Sequence, residues 1–138
     1  MACFLVPTAE AIVVTIVKKH VCKKEAHLAA EQKTTVEEME AKTGKISFGR
    51  KLGWLTNLLW GGAFLLALEH IWHGEVVPWP PFLTAMSNSA DTTAMLHEMS
   101  TVGVTMAILV TAIWCVTLLV ANYAENKAKS KVSTKSEA

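Results

Sequence analysis

Hydrophobic positions along this chain fall into three long runs, separated by segments dense in charge or in proline. Ala2 to Val17 is 16 residues broken by Pro7 and Glu10; Leu52 to Trp72 is 21 residues in which Asn57, Glu69 and His70 stand out; Met99 to Ala121 is 23 residues without a charge. About 20 apolar residues in a helix match the hydrocarbon thickness of a bilayer, so the second and third runs suffice on their own. The first covers roughly 24 Å and borrows length from Val21 and from Lys18 and Lys19, whose stems reach toward the headgroups. The pattern predicts an all-α integral membrane protein: a three-helix bundle over residues 1–125, with spans at 2–21, 52–73 and 97–121.

The segments between the runs carry their own signals. Lys23 to Lys42 is rich in helix formers, pairs Lys33 with Glu37 and Glu38 with Lys42 at i,i+4, and meets a stop at Gly44. A solvated cytoplasmic helix at 22–43, extending from the first span, is expected; its apolar residues Leu28, Val36 and Met39 make no convincing stripe. Residues 74–90 read as an outer interfacial loop. Pro78, Pro80 and Pro81 forbid regular helix there, while Trp79, Phe82 and Leu83 suit the headgroup region. Ser89 or Asp91 is expected to cap a helix running through Met95 into the third span. Residues 126–138, rich in Lys and Ser, are expected to form a disordered basic tail.

Charge changes the picture once it is resolved by position. The 138 residues are 51% hydrophobic and 18% charged, with a net charge of +1, yet all 13 Lys and Arg lie between Lys18 and Lys51 or between Lys127 and Lys135. That segregation excludes an extended nucleic-acid-binding surface, a disulfide-rich secreted module and a disordered chain. With three spans, both basic blocks share one face, and the positive-inside rule makes that face cytoplasmic. The N-terminus is then outside and the C-terminus inside, in a cell membrane, with the bacterial inner membrane as the expected location. No basic residue precedes the first run and a Lys pair follows it, which reverses the layout of a signal peptide, so the run is expected to remain as an anchor. Cys3 and Cys22 are placed on opposite sides of the bilayer and cannot pair within one chain; Cys115 reads as apolar packing.

Ionisable groups inside spans cost about 2.5 to 3.5 kcal/mol each on insertion scales, so each calls for a partner or a task. Here they collect at one level. Glu69, His70, His73 and Glu75 occur where the second span leaves the outer face, and His97 and Glu98 where the third enters it. On a helix, Glu69 and His73 lie about 40° apart and His70 about 100° from Glu69, so one side presents three donors. Thr101 and Thr105 continue the face below Glu98. Counting from the basic residues, Glu69 stands roughly 27 Å above Lys51 and Glu10 only roughly 12 Å above Lys18. Glu10 is therefore expected a turn or two below the histidines, as a supporting or proton-accepting group, as are Glu75, Thr101 and Thr105.

Imidazole and carboxylate together suit zinc, iron, manganese or copper, with His70, His73, His97, Glu69 and Glu98 as the ligand set. Haem b is the other cofactor that histidines on neighbouring helices could hold, with His70 or His73 facing His97. Gly61, Gly62, Ala63 and Ala67 are expected to face Gly103 and Ala107 in close helix packing. The sequence thus points to a redox, sensing or delivery accessory with an outer-face His/Glu cluster. The competing expectations are a cofactor-free subunit or scaffold of a larger membrane complex, or a small ion or proton transporter using Glu10. Three helices in a monomer offer little substrate cleft, which argues against an enzyme. The expected partners are the lipid bilayer and either further copies of the chain or a larger membrane complex.

Overall fold

The computed structural model describes residues 2–136, and every regular element in them is helical: α1 (Leu5–Glu31), α2 (Val36–Thr43), α3 (Phe48–Trp72), α4 (Ser89–Glu98) and α5 (Val104–Ser136). A single π-helical stretch, Met99–Gly103, joins α4 to α5 without a break in direction. Two helical stretches are long and apolar enough to cross a membrane, α3 and the joined helix over Ser89–Ser130. α1 does not reach that measure, because Glu10 interrupts its apolar run midway and Lys18 and Lys19 close it. Pro7 sits in the first turn of α1, where its missing N–H removes no intrahelical bond.

α1 runs antiparallel to α3 along the whole apolar stretch. Cys3 meets His70, Thr15 accepts the indole N–H of Trp60, a Cβ at Gly53 would lie 3.3 Å from Lys18 Nζ, and Cys22 packs on Gly49. α5 packs against both. Between them lies a core in which Ala11, Leu55 and Leu59 are buried, with Val14, Val110 and Trp114 packed around them. Two glycines allow the close approaches at the ends. A Cβ on Gly103 would fall 2.9 Å from Val6 Cγ2 and 3.0 Å from the Cys3 carbonyl oxygen, and one on Gly49 would fall 2.6 Å from Cys22 Sγ.

At the lysine-rich end, acidic side chains from three elements converge on the start of α3. Glu25 of α1 accepts from the N–H groups of Phe48 and Gly49. Glu40 of α2 accepts from Ser47 N–H and pairs with Arg50 at 2.8 Å. Glu125 of α5 accepts from Ile46 N–H at 3.2 Å and pairs with Lys51 at 3.1 Å. Carboxylates at a helix N-terminus complement its exposed N–H groups and dipole.

Several local expectations are corrected. The helix expected over 22–43 is not continuous: α1 ends at Glu31, Lys33 takes a left-handed φ of 52°, and α2 restarts behind a capping box in which Thr35 and Glu38 satisfy each other's backbone N–H groups. Thr34 and Thr35 favour capping over helix interior, so Lys33 and Glu37 form no helical pair. Gly44 does stop α2, at φ 61°. α4 is capped by Asn88, one residue before Ser89, through bonds to Ala90 and Asp91 N–H. The loop at 74–90 contains a bridge between Val76 and Leu83 and a short 3₁₀ turn, Thr84–Ser87. Gly61 and Gly62 meet nothing within 4 Å; of the four small residues on α3 Ala63 alone is buried, and Gly103 and Ala107 are buried opposite. Lastly, α5 continues to Ser136 through the segment expected as a disordered tail, consistent with its Ala, Glu and Lys content; 137 and 138 lie outside the described residues.

Candidate functional site

At the end of the molecule opposite the lysines, the segment before α1, the end of α3, the loop after it and the start of α5 border a cleft of about 280 Å³. Cys3, Glu69, His70, His73, Glu75 and Met106 line it. Its most buried member is His70, 5% exposed and in edge-to-face contact with Phe4 at 5.3 Å. The His70 Nδ1 lies 2.7 Å from the Leu66 carbonyl oxygen one turn back. A carbonyl only accepts, so Nδ1 carries the proton, and in the neutral ring Nε2 keeps its lone pair. That nitrogen faces Cys3 Sγ at 3.3 Å and the Glu75 carboxylate at 3.6 Å.

The geometry makes chemical sense in either protonation state. In the neutral ring the thiol donates to Nε2; in the imidazolium, Nε2–H donates toward Glu75 or the Cys3 sulfur. Gly74, with φ 71°, turns the chain after α3 so that Glu75 comes back over His70, and Glu75 N–H donates to the His70 carbonyl. His73 repeats the His70 pattern one turn on. Its Nδ1 donates to the Glu69 carbonyl at 3.0 Å, leaving Nε2 as the free face of an exposed ring on the cleft wall.

Of the predicted cluster, Glu69, His70, His73 and Glu75 line one cleft; Glu98 is not among its lining residues but lies close enough to Cys3 and His70 to interact with them electrostatically, and His97 is exposed on α4. Thr101 and Thr105 are exposed too and spend their hydroxyls on the carbonyls of His97 and Thr101, each at 2.7 Å. Among the described residues, no three or more His, Cys, Asp or Glu side chains are grouped so as to hold a metal ion. Cys3 is the residue that sequence reasoning left out. Its signal was available in the spacing: it stands seven residues before Glu10, at the outer end of the first run, level with the histidines once that run is placed beside the second.

Glu10 lies apart from this cleft, two helical turns further along α1. One carboxylate oxygen accepts from Thr111 Oγ1 of α5; the other, Oε2, is buried and has no hydrogen-bond partner among the described residues. No protein family, curated protein or solved structure matches this chain.

Proposed function

We propose that the chain crosses its membrane three times, N-terminus outside, and that its outer cleft takes up a thiophilic transition-metal ion, zinc or copper, as cargo to be sensed or passed on. The triple crossing is supported by the pairing of α1 with α3. From Cys3 to Lys18 α1 advances 15 residues, while beside it α3 covers His70 to Gly53 in 17, so both helices measure out nearly the same thickness, roughly 23 to 26 Å. If α3 crosses, α1 crosses with it. The basic residues of both blocks then face the cytoplasm.

The observation that carries the metal reading is the Cys3–His70 pair, with Nε2 of His70 fixed toward the sulfur by the Nδ1 bond to Leu66. Soft thiolate and imidazole donors select zinc and copper over manganese, and a second hydrogen bond at Nδ1 is how a ligating histidine is commonly held. Two first donors with Glu75, His73 or water completing the shell describe a transfer site open to the outside, in contrast to a closed structural centre. Binding releases the Cys3 proton, so uptake weakens as pH falls.

The test is competition titration of purified protein in detergent with zinc and with copper(I) against a chromophoric chelator. One equivalent is expected to bind, to be lost in Cys3→Ser and in His70→Ala, and to be retained in His97→Ala. Binding that survives both of the first two variants, or absence of stoichiometric binding, refutes the reading.

A further inference from the structure

A second feature rests only on α1 and α5 lying in the bilayer and is independent of the outer cleft. Between these helices runs a shallow groove of about 460 Å³, open on one side and walled by Val6, Val104, Ala107, Ala112 and Cys115 around Glu10 and Thr111. Glu10 stands seven residues from Cys3 and eight from Lys18, near the middle of the crossing. An ionised carboxylate buried there with one oxygen unpartnered is costly; protonation removes the charge, and keeping the ionised form takes a donor that the surroundings supply. Acyl chains supply none. The chain itself has no Lys or Arg between residues 1 and 17 or between 52 and 126, so a second copy brings no cation to that depth. The α5 hydroxyls of Thr101, Thr105 and Thr117 already donate to their own helix.

We infer that the groove is the seat of a transmembrane helix from a different polypeptide, one that carries a Lys or Arg at mid-membrane to pair with Glu10. Charge complementarity identifies the occupant. Ala107 and Ala112 let a helix axis approach closely, and Ile108, 64% exposed beside them, offers apolar contact at the rim.

The probe is a host helix of about 21 Leu and Ala residues bearing one central Lys, compared with the same helix lacking it. Both are reconstituted with the labelled full-length protein in phosphatidylcholine vesicles, and association is read by energy transfer. The Lys helix is expected to bind at least about fivefold more tightly than the apolar one. Glu10→Gln is expected to abolish that preference, and Ala112→Leu, which fills the groove without touching Glu10, to weaken it at unchanged helicity. Equal binding of the two helices, a preference that persists in either variant, or Glu10-dependent energy transfer between two copies of the chain alone each overturns the inference.

Discussion

Lys51 and Glu125 form the strongest test of how the helices are held at the lysine-rich end. Their side chains are only 9% and 10% exposed, their charged atoms are 3.1 Å apart, and Lys51 Nζ also donates to Asn122 Oδ1 at 2.7 Å. The Lys51 carbonyl oxygen in turn accepts from the Trp114 indole at 2.8 Å, so one residue of α3 ties down three of α5. Removing Glu125 strands a buried ammonium and the N–H of Ile46. Breaking a buried pair costs about 3 to 5 kcal/mol in soluble proteins. Here Asn122 remains, and the long Lys stem can carry its charge toward the headgroups, so about 2 kcal/mol is expected for Glu125→Ala. Replacing both partners with apolar residues, Lys51→Met with Glu125→Leu, removes the stranded charge and is expected to recover more than half of that loss. Equilibrium unfolding in mixed micelles of dodecyl maltoside and SDS, over the double-mutant cycle, measures both numbers. A single variant within about 0.5 kcal/mol of the parent, or a double variant no more stable than the single, would refute the view that this pair joins α3 to α5.

Gly103→Ala must displace Val6 or the Cys3 backbone from contacts already at 2.9 and 3.0 Å. It is expected to destabilise by about 1 to 3 kcal/mol and to raise the rate at which Cys3 reacts with a membrane-impermeant maleimide; an unchanged rate would show that Gly103 does not set the cleft. Leu59, 1% exposed against Ala11 and Leu55, is expected to cost about 2 to 4 kcal/mol when cut to Ala, read in the same micelles, with a loss under about 1 kcal/mol counting against this core. Glu38, in the α2 capping box, is held below the usual carboxylate range by the Thr34 hydroxyl and the Thr35 N–H. A depressed folded value means that the cap contributes above the unfolded value near 4.5 and is lost as pH falls through the folded one. Amide exchange in α2 should therefore accelerate below that pH in the parent and be pH-independent, beyond intrinsic chemistry, in Glu38→Gln.

How far the sequence reveals this molecule differs by scale. Helix positions were legible because runs of 16 to 23 apolar residues leave few alternatives, and Gly44 and the prolines mark boundaries by their own backbone chemistry. The break at Gln32–Thr35 was not, since the surrounding composition favours helix and the interruption comes from a reciprocal cap that competes locally with it. At the end opposite the lysines, Glu69, His70, His73 and Glu75 line one cleft, as residues that share one helix and the turn after it can; His97 was placed by matching height alone, and it is not among the lining residues. Cys3 was missed because its level with the histidines shows only once the first run is set beside the second; its partner His70 lies 67 residues away in sequence.

The same reasoning makes α1 the dependent partner in assembly. α3 and the α4–α5 helix have the length and apolar composition to cross unaided, whereas α1 carries Glu10 midway and a Lys pair at its end. Its contacts with α3 extend from Cys3 to Cys22, and Glu10 is answered by Thr111 of α5. Crossing by α1 in the proposed topology should therefore rely on those helices. Placing a charge in the shared core, Leu55→Asp, is expected to release α1 to the cytoplasmic side while leaving α3 inserted, because a single Asp costs about 3 kcal/mol in a run otherwise this apolar. Labelling of Cys3 with an impermeant maleimide in intact cells reads the change, with Cys22 as the inside reference. The parent should label at Cys3 from outside and Leu55→Asp should not. If Cys3 is shielded in the parent, or remains accessible from outside when the α1–α3 core is broken, then α1 is either not a span or an independent one.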